Sequence, residues 1–135
     1  MKQGIAATLI FAGLTAVFAA PAIGQGAALA MLDRIDRGNW EMRVRGSDGG
    51  VQRMCLDSGR ALIQLRHQGQ KCRRVVVEDS ASEVTVQYTC PGRGYGRTQI
   101  RRESGTLVQI DSQGIANGLP FAFAAEARRV GDCRR

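Results

Sequence analysis

The sequence predicts an α+β domain that is mostly β: an antiparallel meander sheet, curved or half-barrel, with one short helix and two disulfides. Three observations point there. In 83–90, Val84, Val86, Tyr88 and Cys90 alternate strictly with Glu83, Thr85, Gln87 and Thr89, the period-two signature of a half-buried strand. Short clusters of Gly, Ser, Asp and Asn separate the apolar runs, as turns do between strands. Four cysteines follow an N-terminal export pattern, which favours disulfides over metal or redox chemistry.

Lys2 supplies a small positive start, and Ile5 to Ala20 is a charge-free apolar run closed by Pro21. Small residues follow at the spacing a signal peptidase reads: Ala22 and Gly24, Ala20 and Ala22, or Ala28 and Ala30. We place cleavage after Gly24, giving a signal peptide at 1–24, a single domain at 25–135 and a periplasmic location. The run is shorter than the ~20 apolar residues of a transmembrane helix, and no cysteine at its end invites lipidation. No span is therefore expected after processing. Removing Lys2 with the leader leaves 18 basic and 12 acidic residues, a net charge of +6, and Lys71 is then the only lysine. That arginine bias suits carboxylate and phosphate partners, although a GC-rich coding sequence produces the same bias.

In the mature chain, 31–37 reads as a short helical lead that Gly38 ends. Trp40, Met42 and Val44 alternate with Glu41, Arg43 and Arg45 as a strand, Ser47 to Gly50 turn, and Val51 to Leu56 return. Asp57 or Ser58 can cap a helix over Arg60 to Gln68, with Ala61, Leu62 and Leu65 on one side and Gly69 at its stop. Strands follow at 72–79, 83–90, Thr98 to Glu103, Thr106 to Asp111 and Phe121 to Arg129. Their turns include Glu103 to Gly105 and Asn117 to Pro120. Phe121, Phe123, Ala125 and Ala127 are expected to face inward.

Cys55, Cys72, Cys90 and Cys133 contain no C-x-x-C, which argues against a thioredoxin-like motif or a zinc ribbon. In the hairpin register that sets Val77 opposite Val84 and Val75 opposite Val86, Cys72 and Cys90 point to opposite faces. The expected pairs are therefore Cys55 with Cys72, and Cys90 with Cys133.

Several features occur in order: Gly38-x-Trp40 opening the domain, Cys55-Leu56 before the helix, Cys72 at a strand start, Cys90 ending a threonine-rich strand, and Gly131-x-Cys133 near the end. This arrangement resembles domain-of-unknown-function family 3617, small exported proteins of proteobacteria. The resemblance implies a periplasmic, β-rich domain, and it brings no activity and no catalytic residues.

Candidate chemistry is sparse. Cys90 to Thr98 interleaves glycines with Arg93, Tyr95 and Arg97, and Arg101 and Arg102 extend the basic run. These four arginines form a candidate anion-binding surface, against the alternative that the glycines only make a turn or bulge. His67 lacks a free thiol or a recognisable Ser-acid pair, so it reads as a structural residue. Asp33, Asp36 and Glu41 read as exposed carboxylates, and Asp111 to Gly114 lacks the acidic ligands of a calcium loop. No catalytic residue, cofactor or metal ligand is assigned. The expectation is a non-enzymatic periplasmic protein that binds an anionic envelope component or a partner protein, with nucleic acid disfavoured by export. The alternative is a small envelope hydrolase or an inhibitor of one.

Overall fold

The computed structural model describes residues 28–46 and 50–134. The expected signal peptide at 1–24 lies outside the described residues, as does most of the Ser47 to Gly50 turn. Seven strands form one antiparallel sheet: β1 (Gly38–Val44), β2 (Gln52–Leu56), β3 (Arg73–Asp79), β4 (Glu83–Cys90), β5 (Gly94–Ser104), β6 (Leu107–Ala116) and β7 (Leu119–Gly131). Their order is β2-β1-β7-β6-β5-β4-β3. The meander from β3 to β7 thus continues onto β1 and ends at β2. Two 3-10 helices, η1 (Leu32–Arg34) and η2 (Gly59–His67), complete the described structure.

The alternation legible in 83–90 organises one whole face. Val84, Val86 and Tyr88 on β4, Ile100 on β5, Val108 and Ile110 on β6, Ala125 and Ala127 on β7, and Trp40 and Met42 on β1 are all buried. Trp40 is fully buried, and its indole N–H donates to the Asp36 carbonyl at 2.9 Å, which satisfies its one polar group. Strands β5, β6 and β7 run longer than the sequence pattern indicates. Asn117 (φ 51°) and Gly118 (φ 79°) make a two-residue hairpin turn, so Leu119 and Pro120 already belong to β7.

Strands β2 and β3 are opposite edges of the sheet yet consecutive in sequence. The chain between them must cross the core face, and η2 is that crossing. Ser58 caps it, its Oγ accepting from the Arg60 N–H at 3.2 Å. The expected α-helix is instead two 3-10 turns broken at Gln64 (φ −126°, ψ 51°). Gly59, Leu62, Ile63, Gln64 and His67 are buried while Ala61 is exposed, so the segment turns one side to the sheet. The Gln64 amide mends the break by donating to the carbonyls of His67 and Gln70, both at 2.9 Å. Its Oε1 accepts from Arg74 of β3 at 2.8 Å. Arg74 and Met54 to Leu56 line one groove with η2, so both sheet edges curl toward the crossing.

The disulfides correct the expected pairing of Cys55 with Cys72 and Cys90 with Cys133. Cys55 bonds Cys133, and Cys72 bonds Cys90, with Cα separations of 5.5 and 4.2 Å. The cause is register. A bulge between Val76 and Glu78 sets Val76, not Val75, opposite Val86, and Arg73 opposite Thr89. Cys72 and Cys90 then occupy the next rung, directly opposed. A one-residue shift had been enough to send them to opposite faces.

Both bridges flank η2, so its two ends are tied to the sheet. Non-reducing peptide mapping should link Cys55 to Cys133 and Cys72 to Cys90. The sequence separations of 78 and 18 residues imply losses of about 4.5 and about 3 kcal/mol when each bridge is replaced by serines. Urea unfolding should therefore rank the Cys55/Cys133 double variant below the Cys72/Cys90 one.

Candidate functional site

The glycine-rich stretch from Cys90 to Thr98 is consumed by packing. Pro91 to Arg93 form the turn, and Gly94 opens β5 at φ 123°, where its carbonyl-crowded backbone leaves no room for a Cβ. A Cβ on Gly96 would sit 2.5 Å from the Tyr88 ring. Tyr88 lies over this glycine and reaches His67 of η2. Its hydroxyl and His67 Nδ1 are 3.1 Å apart, and His67 Nε2 stands 3.1 Å from the Arg93 carbonyl. Since a carbonyl only accepts, Nε2 carries a proton and donates to it, and Nδ1 pairs with the Tyr88 hydroxyl. Both ring nitrogens thereby have partners. Burial pushes the Tyr88 phenol above its usual range, which keeps it a donor. His67 is a structural clasp between η2 and the β4–β5 turn.

The opposite face of the sheet is polar. Strand β5 directs Tyr95, Arg97, Gln99 and Arg101 outward, and the ladder aligns Arg97 with Gln87 of β4 and Gln113 of β6, which in turn faces Ala122 of β7. The small side chains of Ala122 and Ala124 leave a depression between taller neighbours. Two open grooves result, of about 550 and about 510 Å3, sharing Arg97, Gln113 and Ala122. The first extends to Tyr95 and Gln87, and the second to Arg45, Gln99 and Asp111.

This surface divides the four predicted arginines. Arg97 and Arg101 share the outer face, about 13 Å apart at four strand residues. Arg93 lies in the β4–β5 turn. Arg102 faces inward opposite Val108, half-buried, with its Nε lacking a hydrogen bond among the described residues. Arg101 is paired with Glu103 at 3.3 Å, and Arg45 donates to Gln109 Oε1. Arg97 is exposed and has no hydrogen bond or ion pair among the described residues. Arg45, three strands away on the same face, escapes the sequence reading because ladder neighbours from β1 and β7 cannot be inferred without the register.

The remaining candidates disperse. Asp33 pairs with Arg60 at 3.1 Å, and Glu41 pairs with Arg53 at 3.0 Å. Asp111 to Gly114 lie within β6 with side chains on alternating faces, so they form no loop. Among the described residues, no group of three or more His, Cys, Asp or Glu is placed to hold a metal ion, and no helix is long and apolar enough to cross a membrane. Glu126 has its carboxyl held below the usual range by hydrogen bonds from Gln109 and Arg128, the reverse of what a general acid needs.

Fold and surface together define a small disulfide-bonded β-sheet domain with one packed face and one open polar face. The chain belongs to the family of proteins of unknown function DUF3617, whose family model matches residues 35–133. That span holds all seven strands, η2 and the four cysteines. No curated protein and no solved structure matches the chain.

Replacing His67 with alanine should cost about 2–4 kcal/mol, since it strands the Tyr88 hydroxyl and the Arg93 carbonyl and opens a cavity. Thermal unfolding measures this. The raised Tyr88 pKa carries its own sign: its contribution is full below about pH 10 and is lost as pH climbs through the folded-state value. Stability profiles of the protein and of Tyr88→Phe should therefore converge above about pH 10, and parallel profiles would contradict that assignment.

Proposed function

We propose that the protein is a non-enzymatic binding protein of the periplasm, and that the outer face of β4 to β7 takes an anionic envelope component. The observation that carries this reading is Arg97. It is an exposed, unpaired guanidinium at the centre of the trough, in a chain with a net charge of +6 once residues 1–24 are removed. A guanidinium offers a bidentate fork to phosphate or carboxylate. Gln87 and Gln113 add amides on either side, and Tyr95 supplies an exposed ring at one end. That combination fits an acidic polymer or the phosphates of lipopolysaccharide, whose charges recur along an extended chain. The export pattern and the two disulfides support an oxidising compartment. The alternative of a small envelope hydrolase or its inhibitor has no specific support among the described residues.

Binding of the oxidised protein to polygalacturonate and to lipopolysaccharide, with neutral dextran as control, tests the reading. Affinity for one anionic probe should fall at least about tenfold between about 0.02 and about 0.5 M salt. Arg97→Glu should weaken it by about tenfold or more, while His67→Ala, where folded, leaves it unchanged. Salt-independent binding, or equal binding to dextran, would remove the electrostatic basis.

A further inference from the structure

We propose that the open edge of β3 is a self-association surface, pairing antiparallel with β3 of a second copy so that two sheets become one. β3 ends the strand order, so among the described residues one side of its backbone meets no strand. Such an edge is a template for another chain, opposed by proline, charge, a bulge or a cover, and β3 carries the Val77 bulge and charges that the pairing described below would neutralise. β3 reads RRVVVED, with no proline or glycine, and its Val75 and Val77 are 63% and 48% exposed.

The charges identify the partner as the chain itself. Arg73, Val75 and Glu78 stand opposite Thr89, Gln87 and Thr85 of β4, which alternate on the outer face, so all three share that face. The bulge makes Val76 and Val77 fill one rung. Counted in rungs, Arg73 lies two before Val75 and Glu78 lies two after it. A two-fold axis at Val75 therefore sets each Arg73 against the other copy's Glu78, and Val75 against Val75. This is the self-complementarity an isologous dimer requires. Arg73 and Glu78 are also free to do so, having no hydrogen bond or ion pair among the described residues. Their inner-face neighbours are already engaged, Arg74 with Gln64 at 2.8 Å and Asp79 with the Leu29 N–H at 3.1 Å. The other edge lacks this palindrome. On β2, Arg53 is paired with Glu41, and Cys55 is bridged to Cys133.

Sedimentation equilibrium of the oxidised protein over a concentration series tests the proposal, with far-UV circular dichroism as a check on folding. The protein should show a reversible monomer–dimer equilibrium. Arg73→Glu and Glu78→Arg should each weaken it about tenfold, because each turns both cross-copy pairs into repulsions. An equimolar mixture of the two variants should recover wild-type dimerisation, since unlike charges then face each other at both positions. The Arg73→Glu/Glu78→Arg double variant should recover it alone. A protein that stays monomeric up to about 1 mM overturns the proposal. So does a dimer indifferent to both substitutions, or a mixture no tighter than its components.

Discussion

The molecule depends on one constraint: two strands adjacent in sequence occupy opposite edges of a seven-stranded sheet, so the segment joining them must lie across the core face. Residues 57–72 meet that demand. Leu62 and Ile63 are fully buried against the sheet, and the one polar break in the segment, at Gln64, is mended by that residue's own amide. Both ends are tied covalently, through Cys55 to the end of β7 and through Cys72 to the end of β4. His67 adds a third fastening, to Tyr88 and the β4–β5 turn. Apolar burial holds the crossing down. The bridges act mainly by limiting how far the unfolded chain can stray from it.

That arrangement divides the molecule by face. Several unusual residues on the inner side have packing roles: the glycines at 94 and 96 admit a backbone carbonyl and the Tyr88 ring, and the lone histidine and lone tryptophan are hydrogen-bonded inside the chain. The outer side bears no such duties. Its long polar side chains stand around two alanines, and Arg97 has no partner among the described residues. A surface freed from packing is where binding residues can sit without cost to the fold.

Much of this was legible in the residues and part was not. Strict alternation in β4 and the turn clusters located the strands, because side-chain period and turn chemistry are local. The family resemblance rested on the order of Trp40, the four cysteines and their glycines, and the matched span contains them all. Disulfide pairing was misread because a bulge at Val77 shifts the hairpin by one residue, and nothing local in a run of three valines marks where it falls. The helix type was misread for a similar reason. The two turns meet at Gln64, whose side chain is held by Arg74 of β3, a contact that helix propensity does not show. Of the four predicted arginines only Arg97 and Arg101 share a face, and Arg45 joins them through a ladder that exists only once β7 has paired with β1.

Native-state hydrogen exchange on the oxidised protein carrying Leu62→Ala tests the central dependence most directly. If the crossing organises the sheet, amides of η2 and of the strands it packs on, β4, β5 and β6, should lose protection together, by a common free energy. Loss of protection confined to η2, with the strands as slow to exchange as before, would contradict that account.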